Sequence, residues 1–134
     1  MGVILDISVL IAWERKASAL ESLAARRPDE QVGLSVITAA ELLHGIHRAD
    51  TTARRLRRSA YVEQVLASFP TYDFDLGVAR IYAELWATLE RKGKKVSAHD
   101  LIIGATAVSR GESVVTFNRR DFDKIPGLSV EVIA

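Results

Sequence analysis

The chain has 134 residues, 49% of them hydrophobic and 26% charged, a balance that suits a single folded domain, residues 1–134, and excludes a disordered one. It contains no cysteine, so a disulfide framework and a thiolate metal site are both excluded, and any metal must be held by oxygen or imidazole. The 18 basic and 17 acidic residues leave a net charge of +1, which gives no overall field to draw in a polyanion; a nucleic-acid role must then rest on local patches.

Val3 to Leu5 extends a short apolar run that starts at Gly2 and ends at Asp6, with Ser8 placed to cap a following helix, so the chain is expected to open with a strand-to-helix turn. The apolar stretch from Val3 to Trp13 carries Asp6, lacks a preceding cationic segment and is too short to span a bilayer, which predicts a cytoplasmic protein with no membrane contact. A second helix is expected from about Ala17 to Ala25, stopping before Pro28 because proline disfavours helix in the residue ahead of it. Val32 to Ser35 reads as a second strand.

From Thr38 to Arg48 the residues Ala39, Leu42, Leu43 and Ile46 recur at helical spacing, with Thr38 as the expected N-cap and Glu41 three residues later, in a first turn. Thr52 to Phe69 and Asp75 to Arg91 read as longer helices separated by Pro70-Thr71-Tyr72, a brief strand. Ser97 and Asp100 form a capping-box spacing ahead of Leu101, Ile102, Ile103 and Ala105, and Gly111 ends that helix. Ser113 to Thr116 is a buried strand, and Leu128 to Ile133 supplies the last one. Strands alternating with helices predict an α/β fold: a central, mainly parallel sheet covered on both faces, with ligands outside the carboxyl ends of the strands.

Such a sheet gathers four acids: Asp6 after the first strand, Glu41 after the second, Asp100 opening a helix, and Asp121 after the strand that ends at Thr116. Taken singly, each suits a helix cap, a partner of the helix dipole or a solvated loop charge. As a set they repel and raise one another's pKa, so the cluster stays ionised only where cations compensate it. A divalent ion does so. Mg²⁺ (or Mn²⁺) suits an all-carboxylate site, where metal-bound water becomes a nucleophile for in-line attack on a phosphodiester.

The segments Val3-Ile4-Leu5-Asp6-Ile7-Ser8, Ala40-Glu41-Leu42, His99-Asp100-Leu101-Ile102-Ile103-Gly104-Ala105 and Val115-Thr116-Phe117-Asn118-Arg119-Arg120-Asp121-Phe122 resemble the motifs of PIN-domain ribonucleases in their order, most closely those of the VapC-type toxins of type II toxin–antitoxin systems. The resemblance covers nearly the whole chain. It implies a three-layer α/β/α PIN-like fold and a metal-dependent endoribonuclease in which Asp6 and Asp100 hold the metal. Glu41 and an acid of the last motif, Asp121 or the position held by Asn118, would complete the ring, and Ser8 would orient a ligand or water. It further implies an RNA substrate, a cognate antitoxin protein, and a homodimer or higher homo-oligomer. Ile7 stands where the family usually carries a hydroxyl, and Asn118 where it is often acidic; a PIN-like binding domain with weak or no catalysis is the alternative that these departures imply.

Other patterns point to less. Glu41 and His44 have the Glu-x-x-His spacing of di-iron bundles, but no second such pair exists. His44 and His47 read as surface histidines and His99 as pointing away from the site, so no histidine is assigned to catalysis. Arg54, Arg55, Arg57 and Arg58 share one side of a helix and suit a solvated face as well as an RNA backbone. Arg119 and Arg120, nearer the expected cleft, are the better candidates for substrate phosphate. Trp13, Phe69, Tyr82 and Trp86 are expected to pack in the core or a subunit interface. The glycines form neither a dinucleotide fingerprint nor a P-loop.

Overall fold

The computed structural model describes residues 2–16, 22, 27 and 29–133. The helix expected over 17–25 lies, apart from Ser22, outside them. The described elements run β1 (Val3–Leu5), α1 (Ile7–Glu14), β2 (Val32–Ser35), α2 (Val36–Arg48), α3 (Thr52–Ser68), β3 (Thr71–Tyr72), α4 (Leu76–Arg91), α5 (Ala98–Arg110), β4 (Ser113–Thr116), a 3₁₀ turn (Phe122–Lys124) and β5 (Ser129–Val132). No helix among the described residues is long and apolar enough to cross a membrane.

The five strands form one sheet in the order β3-β2-β1-β4-β5, every neighbouring pair parallel. β1 is central and short, and its three residues are all buried. Strand alternation sends them to opposite faces. Val3 and Leu5 join Val9 and Leu10 of α1, Leu42 of α2 and Val62 and Val65 of α3 in one apolar cluster. Ile4 joins Val78, Leu85 and Leu89 of α4 and Leu101, Ile103 and Ala105 of α5 in the other. The expected three layers follow from that alternation, because a sheet buried on both faces needs a helical layer on each.

The helix ends hold one agreement and two corrections. Ser97 caps α5, its hydroxyl accepting from the Asp100 amide at 3.2 Å, and Gly111 closes that helix at φ 65°. Thr38 does not cap α2. Ser35, the last residue of β2, does so by accepting from Ile37 N at 3.2 Å, and the strand runs directly into the helix. β-branched Val36 and Ile37 weaken the local helix signal, yet the cap at the sheet edge sets the start, a case of tertiary context overriding propensity. Glu41 therefore sits in the second turn of α2, not the first. Ser8 does not cap α1 either: Asp6 holds the N-cap position, and Ser8 lies inside the helix.

Trp86 does not pack in the core. It is 53% exposed on α4, at the end of an aromatic ladder whose ring centroids are 5.6 Å apart from Phe74 to Tyr82 and 5.8 Å from Tyr82 to Trp86. Gly33 is glycine for a packing reason, since a Cβ there would stand 2.3 Å from the Tyr72 ring on the neighbouring strand.

Candidate active site

In sequence order the strands step outward from β1 to β2 and β3, then return to the other side of β1 with β4. The switch point of the sheet thus lies between β1 and β4, the place where open parallel sheets bind ligands. Asp6 follows β1 there, and its amide donates to Val115 O on β4 at 2.9 Å.

Asp6 is 6% exposed and holds an N-cap position, yet its carboxylate caps nothing. Its Oδ2 instead accepts from Ser8 Oγ at 2.7 Å and from Thr116 Oγ1 at 2.9 Å. Both hydroxyls are themselves held: Ser8 Oγ accepts from Phe117 N at 3.2 Å and Thr116 Oγ1 from Asn118 N at 3.0 Å. Among the described residues no donor reaches Oδ1, which leaves that oxygen for a cation. Thr116, fully buried, is a site residue that the sequence reading missed. Its contact with Asp6 spans 110 positions, beyond the reach of any local pattern.

Asp100 sits in the first turn of α5, where Ser97 already serves as the cap. Burial raises its carboxyl above the ordinary 3.8, the charge of Asp6 raises it further, hydrogen bonding with Ser97 opposes the shift, and the charges of Asp121 and Glu41 add to it. The acids of the other three motifs therefore all act on Asp100 through space. A carboxyl whose folded pKa exceeds its unfolded value binds more protons folded than unfolded. Asp100's contribution to stability is thus full below pH 3.8 and is lost as pH rises through the raised value.

Asp121 Oδ1 is paired with Lys124 Nζ at 3.0 Å. Asn118 Oδ1 accepts from Arg120 N at 3.2 Å and so shapes the loop. Arg119 is tied to Asp123 by contacts of 2.6 and 3.2 Å, while the Arg120 side chain is exposed. On α3, Arg54 pairs with Asp50, Arg55 with Ala49 O, and Arg58 with Glu14 and Gly45 O. Three of these four arginines are thus engaged within the fold.

Beside the ring, a cleft of about 530 Å³ opens between α1, α2 and α3, lined by Ile7, Ile11, Glu41, His99, Arg58 and Tyr61 among others. Ile7 thus serves the cleft wall and the core, and its apolar side chain has a packing role. Tyr61 donates to Leu10 O at 2.5 Å, and burial, with a smaller push from Glu14, takes its phenol up to about 12, so it stays a donor. His99 does not point away: its Nδ1 stands 3.2 Å from Glu41 Oε1.

Among the described residues, no three acidic or imidazole side chains stand close enough to enclose a metal by themselves. The donor set still fits a hard divalent ion of the Mg²⁺ kind, which takes one or two carboxylates and completes its shell with water and phosphate. Asp6 Oδ1 is available and Asp100 is destabilised by its acidic neighbours, the condition that a bound cation relieves.

Residues 3–128 match the PIN domain family. The chain belongs to that family. This PIN domain is 31% identical over 134 residues to ribonuclease VapC1 of Rickettsia felis, covering 100% of this chain and 98% of that protein. It is 40% identical over 131 residues to ribonuclease VapC5 of Mycobacterium tuberculosis, covering 97% and 93%. Among solved structures, the DNA-bound VapBC of Salmonella typhimurium superposes with a TM-score of 0.86 at 29% identity, over 98% of each chain. The PIN fold and the VapC resemblance expected from the four motifs are therefore found.

Proposed function

We propose that this PIN domain is a Mg²⁺- or Mn²⁺-dependent endoribonuclease and the toxin half of a toxin–antitoxin pair, working in the cytoplasm. The observation that carries the reading is the state of Asp6, a buried carboxylate that caps no helix, with one oxygen pinned by two hydroxyls and the other left open at the switch point of the sheet. The similarity to two ribonucleases VapC and to a toxin–antitoxin structure supports RNA as substrate and an antitoxin as partner.

Asp6 and Asp100 would hold the ion. When bound, it supplies an activated water and neutralises charge on the scissile phosphate. Ser8 and Thr116 orient Asp6, so that its free oxygen keeps one direction. Glu41 faces the cleft from α2, and Asp121, or Asn118 at the loop, would complete the acidic site. Arg120, and Arg119 on release from Asp123, would meet substrate phosphate. The antitoxin would occupy the cleft or its rim, and self-association into a homodimer or higher oligomer is part of the same reading.

Purified protein, free of antitoxin, is expected to cut a mixed RNA pool at discrete sites with Mg²⁺ or Mn²⁺ and to stop with excess EDTA. Cleavage that persists in EDTA sinks the metal mechanism. Thermal melts give a second readout without substrate. Because Asp100 is strained by its neighbours once ionised, Mg²⁺ is expected to raise the melting midpoint at neutral pH, and the gain should shrink as pH falls toward 3.8. A gain that does not vary with pH would put the ion elsewhere.

A further inference from the structure

We propose that His99 is a positioning residue for Glu41, holding its carboxylate where the acid ring meets the cleft. The inference rests on the nuclease reading above and adds a residue to its machinery.

His99 lies in the first turn of α5, next to Asp100, and reaches across to the second turn of α2, where its Nδ1 stands 3.2 Å from Glu41 Oε1. Both side chains line the cleft. Among the described residues His99 is the only charged or titratable side chain paired with Glu41. That matters because Glu41 is one of the acids whose charge is felt at Asp100, so the place of its carboxylate bears on the site. A glutamate has three rotatable bonds, and without an anchor it spreads over several rotamers. The contact sets the Nδ1 edge of the His99 ring against the Glu41 carboxylate.

The contact is not needed to hold the helix together. Ser97 already caps α5, and the His99 side chain is 53% exposed. An exposed pair of this kind adds little to stability. Its consequence is placement: it ties α2 to α5 at the rim through the one acid of the ring that also lines the cleft.

The test uses His99→Phe, which keeps a planar ring without a donor, and His99→Asn, which puts an amide nitrogen near the place of Nδ1. Each is made in the wild-type chain and in Glu41→Ala, with kcat and KM for RNA cleavage measured beside Asp6→Asn as the inactive control. His99→Phe is expected to lower kcat about 10-fold with little change in KM, as loss of a supporting partner does at metal sites. His99→Asn should recover most of the rate, and His99→Phe should add nothing in the Glu41→Ala background. An unchanged kcat, or the same loss in both backgrounds, overturns the proposal while leaving the nuclease intact. If the wild type cuts no RNA, the nuclease reading fails by itself, and ¹⁵N NMR of the histidine ring still decides the contact. The His99 Nδ1 signal should move on Glu41→Ala, and an unmoved signal overturns it.

Discussion

Asp6→Asn is expected to remove metal-dependent RNA cleavage by about 10³-fold or more, the equivalent of the several kcal/mol that a catalytic ion contributes to a phosphoryl transition state. The fold should survive. The Asp6 side chain caps no helix, and the carbonyl oxygen of asparagine can accept the Ser8 and Thr116 hydroxyls in place of Oδ2. What is lost is the charge on the open oxygen, replaced by an amide that repels a cation. Removing that charge also lifts one of the causes that raise Asp100, whose carboxyl should move down toward its ordinary value, with burial still holding it above. Three measurements check this together: initial cleavage rates with Mg²⁺ and Mn²⁺, the thermal midpoint, and the Asp100 titration by NMR. A variant that cuts RNA at the wild-type rate would remove Asp6 from the site.

Leu5→Ala tests the platform beneath that site. Leu5 is fully buried on the central strand, in register with Val115 of β4, and packs in the cluster formed with α1, α2 and α3. Truncation to alanine should cost about 3 kcal/mol through lost transfer energy and the cavity left behind. For a domain of this size that corresponds to a fall in melting midpoint of roughly 10 °C. Against a total stability on the order of 5–15 kcal/mol the loss is large. Since Leu5 immediately precedes Asp6, rigidity of the carboxylate should fall with it, so Mn²⁺ affinity is the second quantity to follow. A midpoint within a degree or so of wild type would mean that the two helical layers pack without depending on β1.

Much of this was legible in the sequence because it is local. Short segments, Val32 to Ser35 and Ser113 to Thr116, marked β2 and β4, and Ser97 and Gly111 marked the ends of α5. The start of α2 was misread: Thr38 and Glu41 imitate a capping box, while the cap that operates is Ser35 at the end of a strand. Ser8 was misread for a similar reason, since a serine three positions after a strand looks like a cap until its hydroxyl is seen to serve Asp6. His99 was set aside on helical geometry, which places it on a different part of α5 from Asp100 but says nothing of α2 coming across to meet it.

The sequence by itself determined the class of fold, the order of most elements and the four segments that deliver the acids, because periodicity, caps and turn residues act between near neighbours in the chain. Only the tertiary structure decided what those acids do. Thr116 on Asp6, Glu41 against His99, and the influence of Asp6, Asp121 and Glu41 on Asp100 all join residues brought together by parallel strands and their helical crossovers. The charges and hydroxyls are written locally, but their distances, and hence the influence of the other acids on Asp100, exist only once the sheet has closed its switch point between β1 and β4.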